Sequence, residues 1–256
     1  MTNPLFDLSG QVALITGSSR GIGKSVAEEM SAAGAKVVIS SRKLEACDQV
    51  RDAIRARGGE AISVACDIGR KEEVEALAKA VLDQLGRIDI LVCNAAVNPF
   101  FGSLTKLEDE AWDKTMISNV KSGWWLVKLV VPHMAERGSG NIMLISSIGA
   151  FRATSVLGAY GISKAAEAQL ARNLAFELGP RGIRVNAIAP GLIKTDFAKA
   201  LWSNPAFLKS VEERAPLRRI GQPVDIAGVA VFLASQAASF VTGQLIVADG
   251  GSTLGD

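Results

Sequence analysis

The chain has 256 residues, 48% of them hydrophobic, with 28 Lys and Arg against 26 Asp and Glu and a net charge of +2. Such a length and apolar share can bury a substantial core, which excludes a disordered chain. The evenly spread charge excludes the basic tracts that hold nucleic acid or an anionic membrane. Three cysteines, Cys47, Cys66 and Cys93, are odd in number and lack ligand spacing, so they read as reduced, buried thiols and no metal site is expected. The first ten residues lack a signal-peptide pattern, and no apolar run approaches the roughly 18 residues that span a bilayer, so a cytoplasmic protein is expected. The only histidine, His133, follows Pro132 in an apolar helical stretch. It reads as a packing or capping residue, which leaves a Ser/His/Asp hydrolase without a base.

Strand-like runs at 12–16, 36–41, 61–66, 90–93, 141–146, 184–188 and 244–247 alternate with amphipathic helical segments. Several runs lack polar alternation, as expected when helices cover both faces of a parallel sheet. Repeated βα alternation with no linker or internal repeat predicts one α/β domain over 1–256, a doubly wound, Rossmann-like sheet of seven parallel strands.

Directly after the first run comes Thr16 Gly17 Ser18 Ser19 Arg20 Gly21 Ile22 Gly23, then a helical pattern over 24–33. Glycines permit a tight turn and close approach of backbone to a pyrophosphate, and a helix N-terminus offers free N–H groups. Gly17, Ser19, Arg20, Gly21, Ile22 and Gly23 are therefore candidate dinucleotide-binding residues. The second run ends Ser40 Ser41 Arg42 Lys43, with no carboxylate to accept from an adenosine ribose. Arg42 beside Ser41, with Arg20 opposite, suits a 2′-phosphate, so NADP(H) is preferred and NAD(H) is the lesser alternative. Asp67 and Ile68 follow the third run and Asn94, Ala95 and Ala96 the fourth, at strand ends that line the ligand crevice of such sheets.

Tyr160 and Lys164 stand four apart on a helical segment, which stacks the phenol and the ammonium on one face. A nearby cation favours the tyrosinate and lowers the phenol pKa from about 10. Ser147 ends the fifth run, 13 positions before Tyr160, and Asn119 lies in another helical segment. Residues 194–223 break the rhythm and carry Phe197, Leu201, Trp202 and Phe207. A small helical lid over the substrate is expected there, with an oligomer contact or a surface helical hairpin as the alternative.

Together these motifs closely resemble the short-chain dehydrogenase/reductase family, in register from about Gly10 to Gly251. The resemblance implies a catalytic tetrad of Asn119, Ser147, Tyr160 and Lys164. Tyr160 would protonate the carbonyl oxygen and Ser147 would hold it, while Lys164 would tune Tyr160 and grip the nicotinamide ribose. Asn119 would position a water leading to Lys164. Pro190, Gly191, Ile193 and Thr195 would contact the nicotinamide and phosphate end. The implied partners are a small carbonyl or alcohol substrate and a homotetramer of the chain.

Residues 94–102, NAAVNPFFG, and 189–195, APGLIKT, resemble NADPH-dependent carbonyl and retinal reductases of the vertebrate peroxisomal type. The ending Leu254 Gly255 Asp256 does not match a peroxisomal address. Two alternatives stand beside a carbonyl reductase. One is a 3-oxoacyl-acyl-carrier-protein reductase, for which Arg137 is a candidate docking residue but Phe176 replaces an expected second arginine; the other is a non-catalytic nucleotide-binding scaffold.

Overall fold

Parallel strands point all their carboxyl ends to one edge, and here seven strands do so. In the computed structural model, which describes residues 3–255, they are β1 (Val12–Thr16), β2 (Lys36–Ser41), β3 (Ala61–Ala65), β4 (Ile90–Cys93), β5 (Gly140–Ile145), β6 (Ile183–Pro190) and β7 (Leu245–Ala248). Their order across the sheet is β3-β2-β1-β4-β5-β6-β7, and every pairing is parallel. All seven expected strands form, three with the expected bounds and the others with ends shifted by one or two residues. The largest change is in β6, which runs on until Pro190 pairs with Ala248.

The helices are α1 (Gly21–Ala32), α2 (Leu44–Ala56), α3 (Lys71–Leu85), α4 (Asp109–Met116), α5 (Ser122–Glu136), α6 (Gly158–Leu178), α7 (Lys199–Trp202), α8 (Pro205–Arg214) and α9 (Pro223–Ala234). A π-helical turn, Ile117–Lys121, joins α4 to α5. The two-residue period of the strands sorts the core into two layers. Ala13 and Ile15 of β1, Val37 and Ile39 of β2, and Ile90 and Val92 of β4 face α1, α2 and α9, where Val26, Met30, Ile54 and Ile226 are buried. Their neighbours Val12, Leu14, Val38 and Leu91 face α3, α5 and α6, where Leu77, Val81, Val130, Met134 and Leu178 are buried. Residues apolar on both sides of a strand therefore find a covered face on both sides, which is why these runs lack polar alternation.

The amino edge of the sheet is pinned by Asp89. Its carboxylate accepts from the backbone N–H of Val12 at 2.9 Å and from two guanidinium nitrogens of Arg87 at 2.8 and 2.7 Å. Arg137, just past α5, donates to the Ile88 carbonyl at 2.7 Å beside it. Truncating a buried acceptor leaves its donors unsatisfied, at about 1–3 kcal/mol. Asp89→Ala is expected to lose about 2 kcal/mol in urea unfolding, with binding at the opposite edge unchanged once folded; an unaltered midpoint would contradict the assignment.

Candidate active site

The site is built where strand order reverses, between β1 and β4. The Thr16 hydroxyl oxygen accepts from the backbone N–H groups of Asn94 and Ala95, both at 3.1 Å. In return the Asn94 amide donates to the carbonyls of Thr16 and Gly17, at 2.8 and 3.1 Å. The Ser18 hydroxyl donates to Ile15 O at 2.6 Å and accepts from the Ser40 N–H at 2.9 Å, which ties the same turn to β2.

The glycines of the turn answer to this crowding. Gly17 has φ +65°, and a Cβ there would lie 2.9 Å from the Ala95 Cα. Gly23 has an ordinary φ, but a Cβ would lie 2.6 Å from the Gly17 carbonyl oxygen. Arg20, at the N-cap of α1, makes no capping bond. Among the described residues no side chain caps the first turn, and the N–H groups of Gly21, Ile22 and Gly23 form a cradle suited to a phosphate. The residues present thus fit a dinucleotide.

Around that cradle, Ser19 is partly exposed and Arg20 exposed, with a 3.8 Å ion pair to the equally exposed Asp196 that contributes little. Arg42 is exposed at the carboxyl end of β2 and has no ion-pair partner among the described residues. Ser41 differs from expectation: its hydroxyl lies 3.1 Å from the Cys47 sulfur, directed to its own following helix. Asp67 accepts from the Gly69 N–H at 3.0 Å, and Ile68 is buried beneath it. Ala95 and Ala96 are partly buried and small enough to leave the backbone approachable. Gly191 has a different reason to be glycine, since a Cβ would lie 2.8 Å from Asp249 in the turn after β7. Ile193 is buried and bridges to Gly221. Thr195 stands against Gly21 and is braced by Trp202, whose indole donates to its carbonyl at 2.8 Å.

Tyr160 and Lys164 lie on α6, with the ammonium 5.5 Å from the phenol ring centre. Ser147 lies just beyond β5 and its hydroxyl accepts from the Gly149 N–H at 3.0 Å. Asn119 lies in the π-helical turn rather than in regular helix, a form that recurs at functional sites. Its amide clamps Val97, accepting from the N–H at 2.8 Å and donating to the carbonyl at 3.0 Å, and it donates to Ser163 at 2.9 Å. Both amide hydrogens are committed, which leaves only the oxygen for a water.

The largest departure concerns charge. Lys164 is 2% exposed, and its ammonium donates to Ile145 O at 2.9 Å and to both carboxylate oxygens of Glu167 at 3.0 and 2.9 Å. Glu167, one helical turn further along α6, is 3% exposed and carries no role in the sequence reading. Burial pushes its pKa up to about 7 against the pull of Lys164. Burial also outweighs Lys164 at Tyr160: the phenol sits above its ordinary pKa, with Lys164 and the Ser147 hydroxyl lowering it and Glu167 raising it. The expected lowering by Lys164 is present, but the protein alone does not complete it. Burial likewise pushes the Cys93 thiol up to about 12.

His133 is exposed in the last turn of α5, so it does not pack in the core. Arg137 is at the amino edge, remote from these strand ends. Among the described residues no group of three His, Cys, Asp or Glu is placed to hold a metal ion, and no helix is long and apolar enough to cross a membrane.

Residues 17–253 match the family described as Enoyl-(Acyl carrier protein) reductase. Dehydrogenase/reductase SDR family member 4 of Oryctolagus cuniculus is 44% identical over 245 residues, covering 96% of this chain and 94% of that protein. Among solved structures, a 7 alpha-hydroxysteroid dehydrogenase complexed with NADH and 7-oxo glycochenodeoxycholic acid superposes with a TM-score of 0.94 at 40% identity, covering 98% of both chains. A gluconate 5-dehydrogenase from Burkholderia cenocepacia J2315 in complex with NADP and tartrate gives 0.95 at 34% identity, covering 99% of both.

The tightness of the turn is open to test. Gly23→Ala forces a Cβ against Gly17, a strain of about 1–3 kcal/mol. It is expected to weaken NADPH binding about ten- to a hundredfold by isothermal titration, and unchanged affinity would remove the turn from the cofactor site.

Proposed function

The chain belongs to the short-chain dehydrogenase/reductase family, and on that premise we propose that it is an NADP(H)-dependent carbonyl reductase. It transfers a hydride between the nicotinamide and a ketone, aldehyde or secondary alcohol, with Tyr160 as general acid and base. The single observation that carries this reading is the juxtaposition of Tyr160, Lys164 and Ser147 at the sheet edge that also bears the uncapped, glycine-rich start of α1.

When bound, the nicotinamide supplies the hydride for reduction and, once oxidised, a positive charge. The chain's own residues do the rest. Gly17 to Gly23 would hold the pyrophosphate on backbone N–H groups. Asp67 and Ile68 would border the adenine, and Asn94 to Ala96, with Ile193 and Thr195, would border the nicotinamide half. Ser147 donates to the carbonyl oxygen, where charge develops, and Tyr160 gives that oxygen its proton. Lys164 favours the tyrosinate left behind.

Phe197 supports a substrate lid over 194–223: its ring centre lies 6.0 Å from that of Tyr160, so the segment reaches the reacting group. The carrier-protein alternative has less support, because Arg137 is held at the amino edge by Ile88. We further propose a cytoplasmic homotetramer; analytical ultracentrifugation tests the assembly.

Tyr160→Phe is expected to lower turnover about a hundred- to ten-thousandfold with NADPH affinity kept, by steady-state kinetics and titration; retained turnover would remove this phenol as the acid. The sign of its pH dependence follows. Reduction needs the protonated phenol, so kcat/KM for reduction falls as pH rises through its pKa, and kcat/KM for oxidation rises. Tyr160 is the only tyrosine, so difference absorbance follows its ionisation directly. The midpoint is expected above that of free tyrosine and to drop when NADP+ is added; no drop would contradict the coupling.

Arg42→Ala is expected to weaken NADPH about tenfold, the scale of one charge-assisted contact, and NADH hardly at all. Equal losses would argue against recognition of the 2′-phosphate.

A further inference from the structure

The buried acid beside Lys164 is not accounted for by the reaction as described. An ammonium taken out of water loses its proton readily unless an anion or several acceptors replace the solvent. Here all three ammonium protons have protein acceptors: the Ile145 carbonyl at the end of β5 takes one, and the two Glu167 oxygens take the others. Both side chains are almost wholly buried, and they form a short, two-pronged contact within one helical turn. Such a contact fixes where the charge sits as well as whether it exists.

We propose that Glu167 is a positioning residue for the reaction, anchoring the Lys164 ammonium, keeping it charged in a buried site and setting the place from which that charge acts on Tyr160. The proposal rests on the reading of Tyr160 as the proton donor. Glu167 touches neither the phenol nor the reacting atoms, and it acts through Lys164.

The groups facing the pair are few. From α6 they are Lys164 and Tyr160, from β4 the Cys93 thiol, and from β5 only the Ile145 backbone carbonyl. Cys93 stays neutral at physiological pH, since burial holds its thiol at about 12. Two opposite effects reach Tyr160: Lys164 lowers its pKa, and Glu167, of the other sign, raises it by less. A glutamate that keeps the lysine charged therefore gives a net lowering at Tyr160. Were the lysine neutral and the glutamate gone, the phenol would be harder to ionise.

Two titrations of the full-length protein read this without catalysis. Lysine labelled with carbon-13 at Cε reports Lys164 by nuclear magnetic resonance, its signal identified by its loss in Lys164→Arg. Glu167→Gln keeps the shape and removes the charge. Its Lys164 midpoint is expected at least about one pH unit below that of the unaltered protein, as burial without an anion dictates. The Tyr160 midpoint by absorbance is expected to move by about half a unit or more, upward where the lysine has lost its proton first and downward where only the glutamate charge is lost, and the rising limb of kcat/KM for alcohol oxidation to move with it. Glu167→Asp, which keeps an anion at shorter reach, is expected to restore part of each shift.

An unmoved Lys164 titration in Glu167→Gln would overturn the anchor. A shifted lysine with an unmoved tyrosine would overturn its influence on Tyr160. Retained activity in Tyr160→Phe would instead sink the function assigned to Tyr160, and it is read separately from either titration.

Discussion

The hydroxyl of Thr16 accepts two successive backbone N–H groups from the segment after β4, and the site depends on that clasp. At the switch point the chain leaves β1 toward one layer of helices and leaves β4 toward the other, so the crevice would be free to widen. Thr16 and Asn94 tie its two lips together in both directions. The closeness they impose explains why a side chain is excluded at Gly17 and Gly23. Ser18 extends the same hold to β2, so the turn at α1 and the strand end bearing Arg42 share one frame.

Much of this was legible beforehand because it is local. A strand, a glycine turn and a helix are consecutive in the chain, and the four-residue spacing of Tyr160 and Lys164 needs only helix geometry to become a shared face. The two covered faces of the sheet showed as strands without polar alternation. What was illegible depended on which way a polar side chain turns. Ser41 at a strand end reads as a ligand contact, yet its hydroxyl meets Cys47. The reason for glycine at 191 was hidden as well, since a Cβ there would meet Asp249, almost 60 residues on. Glu167 three places after Lys164 has the spacing of an ordinary surface pair, and only the packing of α6 against the sheet makes it a buried one.

The charge balance at Tyr160 follows from that packing. Sequence spacing puts a cation near a phenol and suggests a lowered pKa, but burial acts on the phenol as well, and here it acts more strongly. The phenol therefore stays protonated in the protein alone, the form that reduction requires. Under the proposed function an oxidised nicotinamide would supply the charge that completes the lowering, and the direction of proton transfer would then follow the redox state of the cofactor rather than the fold alone.

The π-helical turn at Ile117–Lys121 constrains the length of the chain itself. It inserts one extra residue into an otherwise continuous helical rod, which turns everything beyond it by about 100°. Before the turn the rod packs on α6, and after it on α3. Deleting one residue there would restore regular helix and swing one of those faces out of contact, so this half-buried stretch should not tolerate a change of length. Insertions and deletions that surface loops absorb should be absent from the helix that carries Asn119.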